Sequence, residues 1–268
     1  IEFSDATEYL TQEELKERQF KAENYTKRTS LNFTNIRKER SADKKNSYFW
    51  DVENIALSYS YNKVDRRDYN IEYDNNFNWK AGLNYVYNPK EVSWKPFNKS
   101  KFFRSSNWLK LIKDFNIGLV PKQLVFRTDL TRTYTETLLR NNVDLPYNLP
   151  QIPQFTKAFN WNRNYVFKYD FSKNLRFDYN ANNLSFIREP DGAIDKQSDS
   201  WQAYKDSVWT SVKNFGENQT FNQNFSINYT IPFNKLPLTD WISATAKYGA
   251  SYEWLRAPLS QDTLGNTI

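Results

Sequence analysis

The sequence contains no cysteine, no histidine and no methionine. Without cysteine no disulfide framework can form, and without cysteine and histidine there are no thiolate or imidazole metal ligands. The missing histidine also removes the commonest general base and every Ser-His-Asp arrangement. The expectation is therefore a protein that is not an enzyme and carries no cofactor. A pair of carboxylates distant in sequence is the one catalytic arrangement that spacing leaves open. Also missing is any run of 18 apolar residues, so no helix is expected to cross a membrane. There is no initiating methionine, signal peptide or hydrophobic anchor. The abrupt ends at Ile1 and Ile268 read as those of an internal piece of a longer polypeptide.

What is present is unusual in its distribution. Aromatic residues make up 18% of the chain (20 Phe, 18 Tyr and 9 Trp), yet mean hydropathy is −0.85. A water-soluble core would draw on more Leu, Ile and Val. Here the apolar content is largely aromatic and spread among Asn, Ser, Thr and Lys, which suits a wall with lipid on one side and water on the other. The net charge of +6 raises nucleic-acid binding, but the 37 basic residues are dispersed among 31 acidic ones. The densest basic stretch, Arg37-Lys38-Glu39-Arg40 with Lys44-Lys45, falls between strand-like segments and reads as a solvated loop; no nucleic-acid partner is expected.

Strict alternation is the main structural signal. From Phe221 to Phe233, Phe221, Phe225, Ile227, Tyr229, Ile231 and Phe233 take odd positions, and Asn222, Asn224, Ser226, Asn228 and Thr230 take even ones. In a strand this gives one aromatic and one hydrated face. The length matches the about 9–11 residues of a tilted bilayer-crossing strand rather than the about 5–6 of soluble sheets. Similar runs cover Leu31–Ile36, Ile55–Tyr61, Phe77–Tyr87, Leu124–Tyr134 and Phe159–Tyr169, the last turning through 170–174 into Leu175–Tyr179. A final strand opens at Trp241 and runs to Trp254. The fold expected is all-β: a transmembrane antiparallel β-barrel sector of about eight to ten membrane-length strands, with short turns on one side and longer connections on the other.

The division expected is a polar helix and loop region over 1–30, whose helix spans Asp5–Glu23 and starts near Thr11-Gln12-Glu13-Glu14, and a strand sector over 31–268. Helical spacing interrupts that sector near 101–116 and 200–215. In the first of these, Trp108, Leu109, Leu111, Ile112 and Phe115 follow Ser105 or Ser106 as N-cap and are expected to pack in the barrel mouth or against a partner. In the second, Trp201, Tyr204, Val208, Trp209 and Val212 precede Gly216. Asp144–Gln154, with three prolines, and Glu189-Pro190-Asp191-Gly192 read as loop and turn.

Four strings resemble one family: SSNWLKLIKDFNIGLVPKQLVF (Ser105–Phe126), FNWNRNYVFKYDFSKNLRFDYNANN (Phe159–Asn183), REPDGAID (Arg188–Asp195) and FNKLPLTDWISATAKYGASYEW (Phe233–Trp254). They are similar to the SprA (Sov) family, the giant outer-membrane translocon of type IX secretion in Bacteroidetes. The resemblance implies a bacterial outer-membrane location and a single-chain barrel of about 36 strands, the largest class of such barrels. It implies passage of folded cargo bearing a C-terminal secretion domain. It also implies partners: a PorV-like lateral-gate barrel protein, a periplasmic plug protein and inner-membrane motor components. Lipid and lipopolysaccharide would surround the wall, and 268 residues would form only a sector of it.

Three residue sets follow. Trp79, Tyr85, Tyr87, Trp161, Trp241, Tyr252 and Trp254 are placed near strand ends as membrane-interface aromatics; the competing reading is the inner face of a β-sandwich or a carbohydrate-binding platform. Lys168, Arg176, Asp178, Asn222, Asn224 and Asn228, of opposite parity, are candidates to face an aqueous lumen, or simply a solvated strand face. Glu189, Asp191 and Asp195 form an acidic cluster whose spacing does not match a calcium loop, so a turn is expected and no metal. The functional alternatives are another outer-membrane receptor or porin-like channel, and a secreted β-rich adhesin or glycan-binding module.

Overall fold

The computed structural model describes residues 11–41, 47–97, 110–142, 150–235 and 238–257, apart from the side chains of Lys110 and Leu111. In chain order the elements are α1 (Gln12–Ala22), β1 (Tyr25–Ile36), β2 (Ile55–Arg67), β3 (Ile71–Tyr87), β4 (Ser93–Trp94), a single turn α2 (Lys110–Lys113) and β5 (Ile117–Gly118). There follow β6 (Gln123–Leu139), β7 (Gln154–Ser172), β8 (Leu175–Phe186), α3 (Trp201–Lys213), β9 (Glu217–Ile231) and β10 (Ala244–Leu255). Eight strands form one sheet in the order β1-β2-β3-β6-β7-β8-β9-β10, and β4 with β5 makes a two-residue ladder within the β3–β6 connection. Every neighbouring pair is antiparallel. Among the described residues β1 and β10 do not pair with each other, so the sheet is open.

Register turns the alternation of each strand into two faces of the whole sheet. Leu57 lies opposite Leu83, Leu83 opposite Thr128, Thr128 opposite Arg163, Arg163 opposite Asn183, Asn183 opposite Phe221 and Phe221 opposite Trp254. Odd positions of most strands and even positions of β6 and β10 thus share one aromatic face. A one-residue slip in any pair would move a strand's rings to the wet face, which is why this register is strongly specified. Rings meet across the strands: Phe126 and Tyr165 at 5.2 Å, Trp79 and Phe159 at 5.5 Å, Phe225 and Tyr248 at 5.9 Å between centroids. Such cross-strand pairs stabilise a sheet by about 0.2–1 kcal/mol each.

There is almost no core. Only five hydrophobic residues are buried among those described: Tyr134, Phe159, Ala181, Ile187 and Ala257. Leu31, Phe33 and Leu57 on the aromatic face remain 48, 48 and 47% exposed. No second sheet covers this face among the described residues, so the β-sandwich arrangement is not the one found.

Several expectations are corrected. β1 starts at Tyr25, inside the region read as helix and loop, because Tyr25 to Ser30 pair with Arg67 to Asn62. Trp241 does not open β10, which begins at Ala244; it sits in the preceding turn, 81% exposed. Trp79 and Trp161 lie in mid-strand, not near strand ends, since β3 and β7 run 17 and 19 residues. The short connections also fall on opposite ends: 68–70 closes β2–β3 at one end, called upper here, and 173–174 closes β7–β8 at the lower end. The first loop helix is one turn in the described residues; Asp5, Ser105, Ser106, Trp108 and Leu109, with the side chain of Leu111, lie outside them.

Candidate functional site

The site is the sheet itself, with two faces of different chemistry. On the aromatic face β2 carries Ile55, Leu57, Tyr59 and Tyr61 before the first charge at Lys63. β9 carries Phe221, Gln223, Phe225, Ile227, Tyr229 and Ile231 with no charge, and β10 carries Ala244, Ala246, Tyr248, Ala250, Tyr252 and Trp254. These runs form a charge-free belt that crosses the sheet obliquely. Its midpoint in β2, Ser58, is level with Gly82 of β3. Its midpoint in β9, Ser226, is level through Asp178, Lys168 and Gln123 with the residue after Tyr87. The belt therefore descends six residues over the five strand steps from β2 to β9. With about 3.3 Å per residue and about 4.8 Å between strands, that slope corresponds to strands tilted by about 40°. The first charges above it, Lys27, Lys63, Arg132 and Arg163, step down in the same sense.

Two of those charges are covered by the β8–β9 connection, residues 187–216, which folds onto the aromatic face. Arg132 meets the Glu189 carboxylate at 2.5 Å and donates to the Tyr204 hydroxyl at 2.7 Å. The Glu189 side chain is 3% exposed. Lys157 donates from Nζ to the Pro190 carbonyl at 2.8 Å. The turn expected at Glu189–Gly192 is thus held on the sheet through REPDGAID itself, and burial raises the pKa of the Tyr204 phenol above its ordinary 10.0. Among the described residues no group of acidic side chains could hold a metal ion.

Arg163 is the second covered charge. It is 7% exposed, and Nη2 donates to Ser185 Oγ at 2.5 Å, to the Phe215 carbonyl at 3.2 Å, to Asn218 Oδ1 at 3.3 Å and to Asn183 Oδ1. Its guanidinium lies 5.0 Å from the Trp161 ring and 5.6 Å from that of Phe215. This hub fixes the end of α3, where Phe215 and Gly216 both take positive φ, 60° and 69°. A Cβ on Gly216 would sit 2.8 Å from the Phe186 carbonyl oxygen, so only glycine fits there.

The six candidates for the aqueous side, Lys168, Arg176, Asp178, Asn222, Asn224 and Asn228, all fall on the face opposite the aromatics. Lys168 is opposite Asp178, Arg176 opposite Asp170 and Asn228, Asn222 opposite Asn182, and Asn224 opposite Asn180. Further along, Asn76 and Asn78 donate to Thr135 and Thr133 at 2.9 and 3.0 Å. Of the aromatics expected at a membrane interface, Tyr85 and Tyr87 end β3 at the lower end and Tyr252 and Trp254 end β10 at the upper end. Trp161 donates from Nε1 to Thr128, and its ring stacks on Phe215 at 5.7 Å. Ile112 and Phe115 are 38 and 47% exposed. Sequence reading missed Arg132 and Arg163 as the residues that hold α3; the available signal was a charge at the aromatic parity of an otherwise apolar run. Scanned against protein-family models and curated proteins, the chain matches no family and no relative.

Proposed function

We propose that this sheet is part of the wall of a transmembrane β-barrel, with the aromatic face toward lipid and the Asn-rich face toward an aqueous lumen. The observation that carries this reading is the oblique charge-free belt. Its 11-residue run in β9, tilted as above, stands about 26 Å tall, against the about 25 Å apolar band of outer-membrane barrels. Its slope agrees with the about 35–45° strand tilt that barrel closure requires. A water-soluble sheet of this size would bury its aromatic face under a second layer.

Within that class, the resemblance of the four strings favours a protein-conducting translocon of the type IX secretion kind. On this reading the lumen passes folded cargo, directionality comes from partners, and the wall performs no chemistry. The open edges at β1 and β10 are where the remaining strands of the wall join. The experiment is the size and location of the native polypeptide, detected in separated cell envelopes with an antibody to this chain. An outer-membrane band several-fold larger than 32.0 kDa is expected. A 32 kDa band in a soluble or extracellular fraction would overturn the reading and promote a binding module.

A further inference from the structure

The β1–β2 connection inverts the usual pattern of burial. Tyr48, Phe49 and Trp50 stand 45, 63 and 65% exposed, while the polar residues behind them, Asp51 and Asn54, are only 6 and 7% exposed. Exposed rings in a loop are normally loosely held; these are not. The Tyr48 amide donates to Asp51 Oδ2 at 2.8 Å and Asn54 Nδ2 donates to the Tyr48 carbonyl at 2.7 Å. Arg40 Nη2 donates to Ser47 Oγ at 2.8 Å and to Asn54 Oδ1 at 3.2 Å. Tyr48 stacks on Trp50 at 5.1 Å with 8° between planes, and Phe49 meets Trp50 edge-on at 4.6 Å. Buried polar groups that are fully hydrogen-bonded rigidify what they support. Here they support three rings aimed outward.

The position of the rings selects their occupant. The Tyr85 hydroxyl, on the aromatic face, donates to the Phe49 carbonyl at 2.7 Å. That places the turn on the lipid-directed side, just below Ile55, where the charge-free run of β2 begins. Two basic side chains of this connection, Arg37 and Arg40, line a cleft with Ala56, Asn84 and Val86, residues of the hydrated face. Amphipathic Trp and Tyr rings partition to the headgroup–acyl boundary of a bilayer, apolar body inward and polar tip wet.

We infer that Tyr48, Phe49 and Trp50 form a rigid membrane-interface anchor seated in the headgroup region of a phospholipid surface at the lower edge of the belt. The inference rests on the reading of the sheet as a membrane wall. Its test uses the full-length polypeptide in vesicles of phosphatidylethanolamine and phosphatidylglycerol. Single cysteines replace Trp50, Leu57, Tyr248 or Gln197 and carry a nitroxide; these 268 residues contain no cysteine, and any cysteine elsewhere in the full-length polypeptide is first changed to serine. Phe49→Cys is a second probe that keeps the Tyr48–Trp50 stack. Accessibility to oxygen and to a water-soluble nickel chelate is compared at each position.

The expected result is a high oxygen-to-nickel ratio at 57 and 248, a low one at 197, and a value between them at 49 and 50, several-fold above that at 197. Full nickel accessibility at 49 and 50, with 57 and 248 immersed, overturns the anchor and leaves the wall standing. Shielding of 49 and 50 from both agents means that protein, not lipid, covers the rings, and also overturns the anchor. Nickel accessibility at 57 and 248 as well overturns the wall reading itself.

Discussion

At the scale of single residues, Arg163 carries the most consequence. Four oxygens from three segments converge on one guanidinium nitrogen. Replacing it by Leu takes that donor from the buried Asn183 and Ser185 oxygens, and a buried polar group left unsatisfied costs about 1–3 kcal/mol. Arg163→Leu should release the end of α3 while leaving the sheet register intact. Hydrogen exchange at 214–218 would rise, with β9 protected from Phe221 onward; unchanged exchange there would rule out the hub. Gly118 offers a steric counterpart. A Cβ there would lie 2.1 Å from the Asp170 carbonyl oxygen, a collision with backbone that cannot be relieved by a rotamer change. Gly118→Ala should destabilise docking of the β4–β5 ladder against β7 by about 1–3 kcal/mol. Faster proteolytic clipping within 88–122 would report it. Neither residue was legible in the sequence. Composition cannot say that an arginine sits among neutral oxygens, or that a glycine lies under a neighbouring strand's backbone, because both facts depend on which connections fold back onto the sheet.

At the scale of elements, the strands were legible and their companions only partly so. Alternation over Ile55–Tyr61, Phe77–Tyr87 and Phe221–Ile231 was enough, since side-chain parity is a local property of an extended chain. Trp241 misled because Ile242 beside it continued the even parity of β10 across a turn. The helical spacing over 200–215 identified α3 but not its seat, since Trp209 faces outward at 59% exposure while Tyr204 turns in to Arg132. That seat is testable. Arg132→Met strands the buried Glu189 carboxylate, a loss of about 3–5 kcal/mol, whereas the double change Arg132→Met with Glu189→Met should recover most of it. Equal exchange in α3 of the single and double variants would argue against the ion pair as its clamp. α1 gives a pH dependence. Thr11 and Glu14 form a capping box: the Thr11 amide donates to Glu14 Oε2 at 2.8 Å and the Glu14 amide to Thr11 Oγ1 at 3.3 Å. The bonds from the Thr11 amide and hydroxyl hold the Glu14 pKa below its ordinary 4.5. A depressed folded-state pKa means that the stabilisation is complete above the unfolded value and disappears as pH falls through the folded one. Amides of α1 should exchange faster as pH falls below 4.5, after correction for intrinsic rates. Glu14→Gln, which can still accept from Thr11, should reduce that dependence to the part left by Glu17, whose pKa the bond from Lys21 also lowers.

At the scale of the whole molecule, the decisive property is the direction in which the aromatic belt runs relative to the hydrogen-bonded rows. Parity in each strand was visible in the sequence, but the slope was not, since it requires the register of seven strand pairs. The slope separates a membrane wall from a sheet whose apolar face is covered by another protein layer, and a charge scan measures it. Leu57 and Ala250 both lie near the belt's midpoint in their own strands. Their ladder rows, however, differ: the row of Leu57 meets β10 at Trp254, four residues above Ala250. If the bilayer follows the oblique belt, Leu57→Lys and Ala250→Lys both fall near the midplane and each should cost about 2–4 kcal/mol. If an apolar layer instead followed the ladder rows, Ala250→Lys would lie toward the margin and cost only about 0–1 kcal/mol. Asn224→Lys, on the hydrated face beside Phe225, serves as the control and should leave stability unchanged. Urea midpoints of the full-length polypeptide in lipid vesicles would read all three. Equal, large penalties at 57 and 250 with none at 224 require an apolar slab crossing the strands at an angle, the geometry of a tilted barrel wall in a membrane.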